Sequence, residues 1–262
     1  MKEIWDHPFG HALLKIERAD VHISEINERL RVSPDSYGPS LHVDSKTGKQ
    51  FLYYGLTDSR LRSDIALIVG DAIHNLHCAL DIAYSAAVRV LSLGGFDYSR
   101  TKFPLANDRK HLESLLTKTA KIDPSSPLFQ LLVERIKPYK GGDVDICAIH
   151  TFDIDDKHHL LIPMLTATAI EGVKLQNEDG SIDCYDIVLT RPNFYREVVP
   201  FGANFKDHGE VRFKVTFGQG TPFQDLEVVP ILNRFSRKTK AIVRTLQRMT
   251  PPCHGSTKDT TV

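Results

Sequence analysis

Two stretches of this sequence carry side chains capable of proton transfer, nucleophilic attack or metal ligation at spacings that would gather them. The first is Asp71, His74, Asn75, Cys78, Asp81 and Ser85. On a helix turning about 100° per residue these fall on one side, and all but Asn75 lie within an arc of about 80°. A helix face that meets only water favours Lys, Glu, Arg and Gln, which are also better helix formers than these short polar residues. A face of Asp, His, Asn, Cys and Ser suits hydrogen bonding to another helix, or the wall of a pocket. His77 and Tyr84 border it. The second stretch is Asp153-Ile154-Asp155-Asp156-Lys157-His158-His159. It falls at an expected helix end, where carboxylates oppose the helix dipole. His150, Asp153 and Lys157 share a helical face there, making a second polar stripe.

Three kinds of chemistry fit these residues. In a metal-independent hydrolase, most simply an RNase-like phosphodiesterase, His74 or His158 would be general acid or base, since an imidazole titrates near working pH. Asp81 or Asp156 would orient that imidazole, and Lys157 would stabilise charge developing on phosphate. In a zinc protein, His74 and Cys78, one helical turn apart, would join Cys147 and His150 in a Cys2His2 tetrahedron. In a non-catalytic protein the same clusters would lock the register of packed helices. No glycine-rich turn is followed by Lys-Ser/Thr, and no Gly-x-Ser-x-Gly occurs, so neither a phosphate loop nor a serine nucleophile elbow is expected. No cofactor is called for.

Composition narrows the partners. Thirty-three basic residues balance thirty-three acidic ones. A constitutive DNA binder usually carries a basic excess, because phosphate neutralisation supplies most of its affinity; any basic surface here has to be local. RNA and a second copy of the chain are left open as partners. The apolar runs Ile65–Val69 and Ala79–Leu91 are bounded or broken by Asp71, His74, Asp81 and Arg89, and the N-terminus is charged every few residues, so neither a membrane span nor a signal peptide is expected. Four widely spaced cysteines do not suggest a secreted disulfide scaffold. A cytoplasmic protein is the expectation.

The elements that must position these residues follow from periodicity. Apolar residues from Leu13 to Leu30 recur at helical spacing, predicting a helix over about 8–32. Leu41–Val43 and Phe51–Tyr54 flank the turn Asp44-Ser45-Lys46-Thr47-Gly48, a hairpin pattern. A long helix is expected over about 60–93, ended by Gly94-Gly95. Shorter helical pieces follow near 109–119 and 126–136. Lys137-Pro138-Tyr139-Lys140-Gly141-Gly142 must turn, after which Asp143 caps a helix reaching about Lys157. The period then changes: 160–169, 184–189, 197–201 and 211–217 read as strands. A last helix over 228–249 buries Ile231, Leu232, Phe235, Ile242, Val243 and Leu246 and turns Arg234, Arg237, Lys238, Lys240, Arg244 and Arg248 outward, which reads as a solvated face. The expected fold is α+β: a helical-bundle core with a mainly antiparallel sheet inserted before the last helix. No linker marks a boundary, so one composite domain is expected over 1–262, with a helical core (1–158 and 228–249), a β-rich insertion (160–220) and a frayed polar tail (255–262).

The segment Leu67-Ile68-Val69-Gly70-Asp71-Ala72-Ile73-His74-Asn75-Leu76-His77-Cys78-Ala79-Leu80-Asp81 resembles an uncharacterised bacterial family. Its members carry a GD-x-x-HNLRSALD helix, then FP, a QPY turn and a DKHR motif. Phe103-Pro104, Lys137-Pro138-Tyr139 and Asp156-Lys157-His158-His159 follow in that order, so the resemblance covers residues 60–160. It departs at His77-Cys78, where the family has Arg-Ser, and at His159, where it has Arg; the resemblance implies no particular activity. The helical layout is also similar to HEPN proteins, helical bundles that include metal-independent RNases. Their Arg-then-His signature is matched here only by Arg248 and His254, across Pro251-Pro252.

Overall fold

The structure is a computed structural model and describes residues 9–32, 37–56, 60–91, 101–158, 164–188 and 195–250. The fold is α+β, as expected. In chain order the elements are α1 (Gly10–Val32), β1 (Tyr37–Val43), β2 (Gln50–Leu56), α2 (Arg60–Leu91), α3 (Arg109–Ser114), α4 (Pro127–Gln130), α5 (Val144–His158), β3 (Met164–Gln176), β4 (Ile182–Val188), β5 (Tyr195–Val199), β6 (Asn204–Thr216) and α6 (Val228–Met249). Both α3 and α4 continue into a wider π-helical turn, at Leu115–Thr119 and Leu131–Ile136. The chain divides into two compact units. The first comprises Met1–Asp20, Ala72–Ile154 and Arg234–Val262, and the second Val21–Asp71 and Asp155–Asn233. The expected tail at 255–262 and the end of the long helix past Leu91 lie outside the described residues.

The first unit is helical. Its core takes Phe9 from just before α1, Ile16 from α1, Ile73, Leu76 and Leu80 from α2, Phe152 from α5 and Phe235 from α6, each at most 1% exposed. The Phe152 and Phe235 rings pack at 6.4 Å. By length and mean hydropathy α2 could cross a membrane, yet 67% of its most apolar window is buried inside the fold. Asp143 starts α5 as expected: its Oδ1 accepts the Ile146 N–H at 3.0 Å. The turn before it is tightly specified. Lys137 adopts a left-handed conformation at φ 53, and Gly142 could not carry a Cβ without striking the Lys137 carbonyl. The turn is also tied to the chain before α3: the Ala106 N–H donates to the Pro138 carbonyl at 3.1 Å and the Lys140 N–H to that of Ala106 at 3.0 Å.

The second unit holds two antiparallel three-stranded sheets, ordered β1-β2-β5 and β4-β3-β6. The hairpin, placed with the helical core on sequence grounds, instead pairs with β5 through Phe51 opposite Val198 and Leu52 opposite Glu197. The two sheets share one core of Leu52, Ile170, Val173, Leu175, Val199 and Ala203. Each Leu, Ile or Val among these, fully buried, contributes about 1.5–3 kcal/mol relative to exposure. Buried Gln50 fastens the β5–β6 turn: its Nε2 donates to the Ala203 carbonyl and its Oε1 accepts the Gly202 N–H, both at 2.8 Å.

Candidate functional site

Every third or fourth residue of α2 from Asp71 onward brings a polar group to one side, and α5 meets that side. Its partners are His150 and Asp153, also one turn apart (i, i+3) on a face of their own. Asp153 is the centre. Its carboxylate is 2% exposed, so it requires hydrogen-bond donors. His74 Nδ1 lies 2.7 Å from its Oδ1, and His77 Nδ1 lies 3.3 Å from its Oδ2. The arrangement continues outward at both ends. On one side, His77 Nε2 lies 3.1 Å from His150 Nδ1, with the two rings stacked at 5.2 Å. On the other, Cys78 Sγ lies 3.4 Å from His74 Nε2. The whole cluster belongs to the helical unit.

The partners assign the tautomers. A carboxylate accepts, so His74 and His77 both place a proton on Nδ1 and donate it to Asp153. That leaves His77 Nε2 to accept from His150 Nδ1–H. It also leaves His74 Nε2 as the acceptor facing the Cys78 thiol. A buried carboxylate, an imidazole fixed by it through Nδ1, and a nucleophile at the imidazole Nε2 are the three parts of a nucleophile-activating triad. The His74 side chain is 44% exposed and Cys78 is part-buried, so the reacting end of the chain reaches solvent while Asp153 does not.

The structure separates the residues that the sequence brings forward. His74 is at the centre of the cluster. Asp81 is beside it, but does another job: its Oδ1 accepts the Phe103 N–H at 2.7 Å, and its Oδ2 lies 3.8 Å from His77 Nδ1. Asp153, not Asp81 or Asp156, orients His74. Asp156 lies in the second unit, packed so closely over Gly70 that a Cβ there would collide with its carboxylate. The side chains of Lys157 and His158 lie outside the described residues. Asn75, the stripe member off the main arc, is buried and accepts from Lys15 Nζ at 3.1 Å; Asp71 is exposed.

The four proposed zinc donors do not converge. The Cys147 thiol donates to the Tyr139 carbonyl at 3.2 Å, and His150 faces His77 rather than Cys78. Among the described residues no three His, Cys, Asp or Glu side chains are arranged to hold a metal ion. Burial pushes the Cys147 thiol up from the ordinary thiol range, and the charge of Asp143 adds to the shift. Burial likewise raises the phenol of Tyr84, whose ring meets Phe103 edge-on at 5.9 Å.

Two contacts link residues singled out in the sequence: Asp81 accepts the Phe103 N–H, and Gly70 makes room for Asp156. Comparison with protein families, with curated proteins and with solved structures finds no match.

Proposed function

We propose that the protein is a thiol-dependent hydrolase or acyl transferase in which Cys78 is the nucleophile, His74 its general base and acid, and Asp153 the group that orients His74. The observation carrying this reading is the Cys78–His74–Asp153 sequence of contacts at 3.4 and 2.7 Å, with the carboxylate buried and the imidazole half exposed. In the reaction His74 Nε2 takes the thiol proton as the sulfur attacks an acyl carbonyl carbon. The imidazolium, stabilised by Asp153, then returns the proton to the departing alcohol or amine. A water molecule, deprotonated by His74, releases the acyl group and regenerates the thiol.

The geometry favours thiol chemistry over phosphodiester cleavage, because His74 Nε2 is presented to Cys78 rather than to a substrate hydroxyl. Incubation with p-nitrophenyl acetate tests the reading: an acyl adduct should map to Cys78 and disappear in both Cys78→Ala and His74→Ala. An adduct elsewhere, or none, would refute it. A second reading, a purely structural lock between α2 and α5, draws on the stacked His77–His150 pair and on Asp81, which satisfies backbone. Under that reading the same variants lose stability and no adduct forms in the wild type.

A further inference from the structure

Helix α6 contains six basic residues and no acidic one, in a chain whose charges balance. The structure separates the six into two sets. Arg234 and Lys238 are paired with carboxylates at the start of α5: Arg234 Nη2 lies 2.7 Å from Asp145 Oδ1, and Lys238 Nζ lies 2.7 Å from Asp143 and 2.9 Å from Asp145. Partial burial disfavours the Lys238 charge, but hydrogen bonds and the charges of Asp143 and Asp145 outweigh it and raise its pKa. The other four, Arg237, Lys240, Arg244 and Arg248, pair with no carboxylate among the described residues. At 100° and 1.5 Å per residue they lie within an arc of about 80° and along about 16 Å of helix. Arg237, Arg244 and Arg248 are exposed.

We infer that this stripe is a docking surface for a nucleic-acid duplex, gripped through its phosphodiester backbone. Three of the four cations are arginines, whose planar fork matches phosphate oxygens in pairs. The stripe offers no acidic group to a basic partner. It is also unlike a membrane-surface helix, because the apolar side of α6 is already spent on the core: Phe235, Val243 and Leu246 are fully buried, and none of the large exposed hydrophobics lies on this helix. Single-stranded nucleic acid is ordinarily held by aromatic platforms on which bases stack, and the one aromatic of α6, Phe235, points inward. What remains is a linear row of cations suited to a regular polyanion, reading charge rather than sequence. Such a contact is weak and salt-labile, unlike the constitutive DNA binding that a neutral chain argues against. It is independent of the Cys78 site.

The test is fluorescence anisotropy of the whole protein with a labelled mixed-sequence DNA duplex over a salt series. Four phosphate contacts give a slope of log K against log salt of about −3.6, or about a 150-fold loss of affinity between about 50 and 200 mM. Arg237→Gln/Arg244→Gln/Arg248→Gln, all exposed and so leaving the melting temperature unchanged, should lower the slope by about 2.7. A control triple, Lys110→Gln/Lys118→Gln/Lys121→Gln, removes the same charge from exposed positions elsewhere in the helical unit and should leave the slope near its wild-type value. Equal effects of the two triples, a wild-type slope no steeper than about −1, or equal binding to phosphatidylserine vesicles or polyglutamate would overturn the proposal.

Discussion

Replacing Asp153 by Asn keeps the shape of the side chain and removes its charge, so it isolates what the carboxylate does for its two imidazoles. The contact from His74 Nδ1 is 2.7 Å long in a site 2% exposed, and a hydrogen bond to a charged group contributes about 1.5–3 kcal/mol net. Its loss withdraws that support from the imidazolium that forms as Cys78 gives up its proton. The Cys78 thiolate that forms against the His74 imidazolium loses the same support. The asparagine amide also confronts one Nδ1–H with a second donor. If the ring concerned is that of His74, it must move its proton to Nε2, and the lone pair facing Cys78 disappears. The assay is iodoacetamide alkylation of Cys78 against pH, read by peptide mass spectrometry, with a melting curve on the same sample. The midpoint of alkylation should rise. The melting temperature should fall by about 3–12 °C, taking 2–4 °C per kcal/mol for a chain of this size. Both readings of the site expect the melting shift. Only an activated thiol expects the shift in midpoint, and a variant that melts lower with the Cys78 midpoint unchanged refutes the reasoning.

Asp81→Ala removes the acceptor of the Phe103 N–H and should cost about 1–2 kcal/mol, the lower part of the range for an abandoned donor because the site is only part-buried; a thermal melt checks this, and the Cys78 midpoint should not move. The Cys147 thiol, raised by burial and by Asp143, should alkylate with a midpoint above the ordinary value of about 8.5. Since the folded state holds that proton more tightly than the unfolded one, its contribution to stability is present below the ordinary thiol pKa and is lost as pH rises through the raised one. Thr239 is fully buried and its hydroxyl has no partner among the described residues, so Thr239→Val, which keeps the shape and removes the stranded hydroxyl, should raise the melting temperature by about 2–4 °C for a gain of about 1 kcal/mol; a lower melting point would show that the hydroxyl is satisfied.

Elements whose pattern is local were legible in the sequence. Helix α6 runs over the expected 228–249, Asp143 caps α5, and Ser126 caps α4 by accepting the Phe129 N–H. Strands β3 and β6 are longer than their apolar runs because their pairing continues through irregularities. In β3 the register shifts between Ile170 and Val173, where Gly172 takes φ 73, and β6 begins with Asn204–Gly209, polar but for Phe205 and ending in Gly, which reads as a loop until it is paired with β3. Helical spacing alone makes legible both the polar stripe of the long helix and the second stripe of His150, Asp153 and Lys157. What sequence did not distinguish was which carboxylate serves His74. Asp81, Asp153 and Asp156 are chemically alike; the difference is that Asp153 alone is buried between two imidazoles while Asp81 is drawn to a backbone N–H, and this depends on contacts across 79 residues of chain. The spacing of His74 and Cys78 suited a metal pair and a hydrogen-bonded pair equally. Only the placement of Cys147 against Tyr139 separates the two.

The central claim is that the Cys78 thiol is activated by His74, and the wild-type protein carries its own reference, since Cys184 is exposed on β4. Alkylation of both cysteines should be followed in one pH titration of the wild type and of His74→Ala. In the wild type Cys78 should alkylate with a lower midpoint than in His74→Ala, whereas Cys184 should behave alike in the two proteins; a Cys78 midpoint that does not move in His74→Ala would contradict the account.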